Sequence, residues 1–134
     1  MKPVTQEHMH DPANGVNGDC FRACLASIFE EPLSEVPHFM AMPEVEWWFS
    51  FLDWLAEHGV APLEIRIDDG VGIPAHLDNC ATILSGYTRR NPGVRHAVVG
   101  KGERQVHDPH PSREGLAEVC TAWLFVAIAP EATP

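Results

Sequence analysis

The sequence predicts an α+β domain in which helices come first and an antiparallel sheet follows. Before residue 60 the apolar residues recur at helical spacing, and after it they alternate or form short runs typical of strands. Near the C-terminal end two short strands flank a turn, which predicts a hairpin and hence antiparallel pairing. With 134 residues and no internal repeat, the chain is predicted to form one domain over residues 1–134.

The first helix is predicted over residues 20–30, after an irregular lead-in at 1–17. Its apolar residues fall on one helical face and are Phe21, Cys24, Leu25, Ile28 and Phe29. Asp19 is predicted to be the N-cap, which makes Cys20 the first helical residue. Small residues on the opposite side, such as Ala26, allow another backbone to approach.

A short helical turn is predicted within residues 33–42, and a second helix at 44–58 that opens after Pro43 and ends at Gly59. Three tryptophans on this helix, Trp47, Trp48 and Trp54, are predicted to be core contacts. A ligand-binding or partner surface is the alternative interpretation of the same residues.

Five strands are predicted, at residues 61–67, 80–86, 95–100, 104–108 and 121–129. A helical turn is expected at 115–119, ahead of the last strand. Residues 101–103 form the predicted hairpin turn, which pairs Gly100 with Arg104. In that register His96 lies opposite Asp108, at a cross-strand distance of about 5 Å that allows a carboxylate–imidazole hydrogen bond.

Composition narrows the function classes. Nineteen acidic residues against nine basic ones give a net charge of −10, which argues against nucleic acid or an anionic membrane as the partner. The acidic surface favours a neutral or basic substrate instead. The chain has no apolar run of about 18 residues and no signal-peptide pattern, so a cytoplasmic location is predicted.

The four cysteines are Cys20, Cys24, Cys80 and Cys120. In the cytoplasm they are predicted to be reduced thiols, and three of them, all but Cys20, are predicted to be small buried hydrophobes. Neither the cysteines nor His107 and His110 follow the spacing of a standard zinc site. No metal and no cofactor is therefore expected.

Cys20 differs from the other cysteines because it stands at the start of a helix. Unpaired amides and the positive end of the helix dipole favour a thiolate there. A cysteine nucleophile also needs a base and a group that orients the base, and His96 with Asp108 supplies both. The alternatives are a buried structural thiol, a histidine satisfied within a sheet and an Asx-type turn before Pro109.

This arrangement resembles the papain-like cysteine peptidase superfamily, and within it the small C39-peptidase-like branch. The matching segments are GDCFRACLAS at 18–27, HAVVG at 96–100 and HDP at 107–109. The resemblance implies N-terminal helices packed on a C-terminal antiparallel sheet. It also implies Cys20 as nucleophile, His96 as general base and acid, and Asp108 as the residue that orients His96.

In that superfamily a glutamine about six residues before the cysteine helps to form the oxyanion hole. Here that position is Asn14, which can donate the same amide hydrogen bond from a shorter side chain. Asn17 and Gln6 are the other candidates, and Gln6 qualifies only if the lead-in loops back towards the helix.

The resulting expectation is a hydrolase that cleaves a peptide, isopeptide or small amide bond through a thioester intermediate. Its partners would be peptide, protein or small amide substrates. Two alternatives remain open at this point: a non-catalytic binding or inhibitor module with the same fold, and an acyltransferase that uses the same nucleophile.

Overall fold

The computed structural model describes residues 1–68, 70 and 72–128. Its main elements are two α-helices and a five-stranded antiparallel sheet. The predicted α+β class is therefore confirmed. The helices are α1 (Cys20–Phe29) and α2 (Glu44–Glu57). The strands are β1 (Val60–Arg66), β2 (Ala81–Tyr87), β3 (Arg95–Lys101), β4 (Arg104–His107) and β5 (Glu118–Ala127). Of the helices described, none is long and apolar enough to cross a membrane.

The sheet has the strand order β1-β5-β2-β3-β4, so the β3–β4 hairpin lies at one edge. Neighbouring residues of a strand point to opposite faces, and Ile83 and Leu84 of β2 accordingly belong to two different apolar clusters. The cluster of Ile83 also holds Leu25 of α1 and Phe51 of α2. The helices therefore cover one face of the sheet, and α1 contacts β3 and β2.

Helix α1 is buried around more of its circumference than its apolar face predicted. Ala23, Ala26 and Ser27 are buried together with Phe21, Cys24 and Leu25. The lead-in covers the small residues: Lys2 N–H donates to the Ser27 carbonyl at 3.0 Å, and Val4 N–H donates to Ser27 Oγ at 3.0 Å. The start of the chain is thereby held against α1, which positions the residues that follow it.

The predicted elements of the first half are present with small changes of boundary. Short 3₁₀ turns at Leu33–Glu35 and Phe39–Ala41 replace the single turn expected in 33–42. Pro43 occupies the N-cap of α2, and Gly59 follows its end with a φ of +76°, a left-handed conformation that glycine adopts without a steric penalty.

The predicted hairpin register is wrong. The turn contains two residues, because Lys101 pairs with Arg104, and a register shift then places Val99 opposite His107. Gly102 has a φ of +57°, whereas the φ of Glu103 is not positive. This is the pattern of a type II′ turn, whose twist suits a two-residue hairpin. Strand β4 ends at His107, so Asp108 is not a ladder partner of His96.

The helical turn expected at 115–119 is also wrong. Leu116 N–H donates to Gln105 Oε1 at 2.7 Å, and Ala117 N–H donates to the Tyr87 carbonyl at 2.8 Å. These partners on β4 and β2 hold the segment extended, and β5 begins at Glu118, three residues before its predicted start at 121. The predicted end of that strand at residue 129 lies outside the described residues.

Candidate functional site

Cys20 is the first residue of α1, as predicted. Asp19 holds the N-cap position but does not cap the helix with its side chain. Instead Asp19 Oδ1 accepts the His8 N–H at 2.7 Å, and Asp19 N–H donates to the His8 carbonyl at 3.1 Å. Gly18 completes this contact, because a Cβ there would come within 3.0 Å of His10 N. The lead-in is thus clamped directly beside Cys20.

His96 and Asp108 are both buried, and their side chains meet although the predicted strand register is wrong. The distance from His96 Nε2 to Asp108 Oδ1 is 2.7 Å. Two backbone N–H groups also donate to the carboxylate, His110 to Oδ1 at 2.9 Å and Gly115 to Oδ2 at 2.8 Å. Burial raises the pKa of Asp108, but these three hydrogen bonds outweigh it and lower the pKa from 3.8 to about 2.

Cys20 lines the same cavity as His96 and is close enough to influence the pKa of its ring. Because Nε2 is engaged with Asp108, Nδ1 is the ring nitrogen left for the thiol. Burial lowers the pKa of His96, whereas the bond to Asp108 and the interaction with Cys20 raise it, and the net pKa rises from 6.5 to about 9. The structure therefore brings Cys20, His96 and Asp108 into one site, in which His96 contacts Asp108 directly and its raised pKa favours the imidazolium.

Cys24 lies one helical turn after Cys20 and is fully buried. Burial raises its pKa well above 9.0, and the neighbouring charges of Cys20 and Asp108 raise it further. Cys24 is therefore a neutral thiol in the core, as the sequence predicted, whereas the predicted burial of Cys80 is wrong because its side chain is exposed.

The structure does not bring Asn14 into this site. Asn14 is exposed, ends a 3₁₀ turn at Pro12–Asn14, and donates from Nδ2 to Asp11 Oδ2 at 2.7 Å. The reason is the bridge between Asp11 and Val16, whose paired hydrogen bonds of 2.9 Å close the intervening residues into a turn outside the cavity wall. Asn17 is exposed as well and is not part of the cavity wall.

Gln6 lies where Asn14 was expected. Its side chain is buried and lines the same cavity as Cys20. Its backbone N–H donates to the Pro109 carbonyl at 3.0 Å, and its Nε2 donates one proton to the His8 carbonyl at 2.8 Å. The amide keeps a second N–H. Among the described residues, the backbone N–H of Cys20 also has no acceptor.

A cavity of about 470 Å³ joins these groups. Cys20, His96 and Gln6 form part of its wall. Apolar side chains form another part, namely Phe21, Met40, Trp47, Ile83 and Trp123. Trp54 is buried in the core and Trp47 and Trp48 pack against it, as predicted, and Trp47 borders the cavity as well.

One group of side chains offers possible metal ligands, since ligand atoms of Glu7, His8 and Asp19 lie within 4.8 Å of one another. Arg22 Nη1 lies 3.5 Å from Asp19 Oδ2 and 4.0 Å from Glu7 Oε2. The guanidinium already balances the two carboxylates, so we assign the group a structural role in holding the lead-in against α1.

No family model, no curated protein and no solved structure matches this chain. The resemblance to papain-like cysteine peptidases therefore stays a prediction from the sequence. The interpretation of the site rests on the geometry described above: a cysteine at a helix start, a buried histidine–aspartate pair and a cavity that reaches both.

The His96–Asp108 pair predicts a characteristic pH dependence of stability. The pKa of His96 is raised in the folded chain, so its contribution is complete below about pH 6.5 and is lost as the pH rises through about 9. The pKa of Asp108 is lowered, so its contribution is present above about pH 3.8 and is lost as the pH falls through about 2. We expect His96→Gln to lower the free energy of unfolding by about 2–3 kcal/mol at pH 5–6 and by less at pH 10.

Urea unfolding of the wild type and of His96→Gln across pH 5–10 measures this difference. His76→Gln is the matched control, because His76 lies in an exposed 3₁₀ turn away from the cavity. A stability difference for His96→Gln that does not change between pH 6 and pH 10 would contradict the assignment of a charged pair.

Proposed function

We propose that the protein is a papain-like cysteine hydrolase that cleaves a peptide, isopeptide or small amide bond. The observation that carries the proposal is the 2.7 Å bond between buried His96 and Asp108, together with Cys20 at the wall of the cavity that His96 also lines. Acyl transfer to a thiol needs a nucleophile, a base and a group that orients the base, and Cys20, His96 and Asp108 are the proposed residues for these three roles.

The proposed mechanism begins with a thiolate at Cys20 and an imidazolium at His96. The Cys20 thiolate attacks the carbonyl carbon of the substrate and forms a carbon–sulfur bond, while the carbonyl oxygen takes up the displaced electron pair. The tetrahedral species collapses, the carbon–nitrogen bond breaks, and the His96 imidazolium gives its proton to the departing amine. Neutral His96 then takes a proton from water, whose oxygen forms a bond to the thioester carbon. The carbon–sulfur bond breaks, its electron pair returns to sulfur, and the acid leaves with the Cys20 thiolate and the His96 imidazolium restored.

Gln6 and the backbone N–H of Cys20 are the proposed donors to the oxyanion. Both border the cavity, and each has an N–H that no described residue accepts. Donors fixed in place before the reaction stabilise the developing negative charge without reorganisation. One argument for a non-catalytic module is that asparagine replaces the expected glutamine, and Gln6 at the cavity wall answers that argument. The small size of the chain and its tryptophan-rich helix are the other two arguments, so that module remains an alternative.

Whether water or an amine resolves the thioester depends on the acceptor and not on these residues. The acyltransferase therefore remains an alternative that uses the same site. Product analysis separates the two, because a hydrolase releases a free acid and a transferase releases a new amide.

Alkylation by iodoacetamide, with each labelled cysteine located by mass spectrometry, tests the proposed nucleophile. An ordinary thiol is only about 0.3% ionised at pH 6, so a thiolate paired with His96 is expected to react about 10²-fold faster. Exposed Cys80 is the internal reference. We expect selective labelling of Cys20 at pH 6 in the wild type and a rate close to that of Cys80 in His96→Ala.

Circular dichroism of His96→Ala, together with the unchanged inaccessibility of buried Cys24, controls for unfolding. If the wild-type chain labels Cys20 and Cys80 at similar rates at pH 6, and His96→Ala changes neither rate, the hydrolase proposal fails.

A further inference from the structure

The cavity is basic although the chain is acidic. The chain has 19 acidic and 9 basic residues, yet among the described residues no aspartate or glutamate lines the cavity. The ionisable side chains of the wall, apart from Cys20, are His10, Arg90, Arg95, His96 and His110. A wall of one sign in a protein of the opposite net charge concentrates ligands of complementary charge.

Arg95 is an arginine of this wall that has no carboxylate partner among the described residues. It begins β3, directly before His96, and its guanidinium lies 5.5 Å from the centre of the Tyr87 ring. The ring positions the cation without cancelling its charge. Within the part of the chain that the structure describes, no carboxylate forms an ion pair with Arg95. Arg90, in contrast, lies 3.6 Å from Glu114 and 3.4 Å from Ser112 Oγ.

His110 adds a neutral donor to the same wall. Its Nδ1 accepts the backbone N–H of Ser112 at 3.0 Å, so in the neutral ring the proton is on Nε2. Burial lowers the pKa of His110, and the nearby positive charge of Arg90 lowers it further. The ring lies against His96, with 6.2 Å between ring centres. His110, Arg90 and Arg95 therefore all offer hydrogen-bond donors to the cavity.

We propose that the site binds a carboxylate of its substrate at Arg95, with Arg90 and His110 as additional donors. An apolar group of the same substrate would contact Phe21, Met40 and Trp47. The inference rests on the proposed nucleophile at Cys20 and narrows the substrate to amides that carry both a carboxylate and an apolar group. It reverses the expectation from net charge, which favoured a neutral or basic substrate.

A pair of alkylating agents tests the carboxylate site without a known substrate. Iodoacetate and iodoacetamide transfer their carbon to the same sulfur, and only iodoacetate carries a carboxylate. We would measure the ratio of their rate constants at Cys20, at pH 7 and low salt, with Cys80 as the reference thiol. The variants are Arg95→Gln and its matched control Arg89→Gln, an exposed arginine of the neighbouring turn that does not line the cavity.

We expect Arg95→Gln to lower the iodoacetate-to-iodoacetamide ratio about 10-fold, the effect of one charged hydrogen bond. Arg89→Gln should change the ratio by less than about twofold, since Arg89 is exposed and outside the cavity wall, where solvent and salt screen its charge. The His96 imidazolium attracts iodoacetate in all three proteins, so the comparison isolates Arg95. An unchanged ratio in Arg95→Gln, or equal changes in both variants, would overturn the carboxylate site.

The proposed function and the carboxylate site fail in different ways here. Slow labelling of Cys20 by both reagents would reject the activated nucleophile, and the ratio would still report on Arg95. Rapid labelling by both with a ratio independent of Arg95 would leave the nucleophile in place and reject the carboxylate site.

Protection of Cys20 from iodoacetamide distinguishes a terminal from a side-chain carboxylate. The probes are N-benzoylglycine and its neutral amide, and N-benzoylglutamic acid α-amide and its neutral glutamine twin. We expect at least one acid to protect at a concentration about 10-fold below that of its twin, and Arg95→Gln to remove the difference. If only N-benzoylglycine protects Cys20, the carboxylate that the site binds is a peptide C-terminus. If only the glutamate probe protects it, the carboxylate is that of an acidic side chain. Equal protection by acids and twins would overturn the proposal.

Discussion

Gln6→Ala is expected to lower the rate of acyl transfer to Cys20 by about 10²–10³-fold, the usual effect of removing one oxyanion donor. The same variant should change alkylation by iodoacetamide less than about threefold, because displacement of iodide creates no oxyanion. Hydrolysis of p-nitrophenyl acetate, an activated ester that needs no specificity site, measures the first rate, and mass spectrometry measures the second. If acyl transfer falls while alkylation is nearly unchanged, Gln6 donates to the oxyanion, and a general loss of the thiolate is excluded.

Asn14→Ala is the matched control for this experiment. It removes the amide that the sequence favoured, but that amide is exposed and bonded to Asp11, so neither rate should change. Gln6 is also a packing residue, since its Nε2 donates to the His8 carbonyl. If Gln6→Ala lowers both rates equally, its role is to position the lead-in and it is not an oxyanion donor.

Periodicity was sufficient to predict the elements of this fold. The five apolar residues of α1 predicted its length to within one residue, and the alternation and short apolar runs after residue 60 predicted all five strands. These signals are local, because a helix or strand must bury one face whatever it packs against. The segment at 115–119 was mispredicted because its conformation depends on Gln105 and Tyr87, which lie elsewhere in the chain.

The meeting of His96 and Asp108 was predicted through a strand register that is wrong. The contact forms because Asp108 leaves β4 and is held by the backbone of His110 and Gly115, which no cross-strand count could reveal. The register nevertheless placed the two residues at the same end of one hairpin. A hairpin brings such neighbours close under several registers, so the prediction of contact tolerated an error in pairing.

Gln6 and the basic cavity wall could not be derived in the same way. Fourteen positions separate Gln6 from Cys20 in the printed sequence, but the paired hydrogen bonds between His8 and Asp19 bring the two ends of that segment together. Net charge is likewise a sum over the whole chain and does not say which residues line a cavity. Here Arg95 lines the cavity, and no acidic side chain does in the described part of the wall. Both features depend on which distant segments meet.

Asp108→Asn is expected to lower acyl transfer by about 10³-fold or more, because an amide cannot accept all three hydrogen bonds of this carboxylate. With its oxygen towards His96 and His110, the amide nitrogen faces the Gly115 N–H, donor against donor. With its nitrogen towards His96, that ring must accept at Nε2 and carry its proton on Nδ1, facing Cys20. The proposed imidazolium–thiolate pair is weakened either way, and one buried donor loses its acceptor.

That lost acceptor should also lower the free energy of unfolding by about 1–3 kcal/mol at pH 7, as measured by urea unfolding. Asp53→Asn makes the same chemical change on the exposed side of α2 and should alter neither stability nor p-nitrophenyl acetate hydrolysis. A loss of stability in Asp108→Asn with hydrolysis intact would assign Asp108 to the loop that it anchors and not to His96. If hydrolysis falls far more than the folded fraction does, the variant is folded but its His96 carries the proton on the wrong nitrogen. That result supports Asp108 as the residue that orients His96.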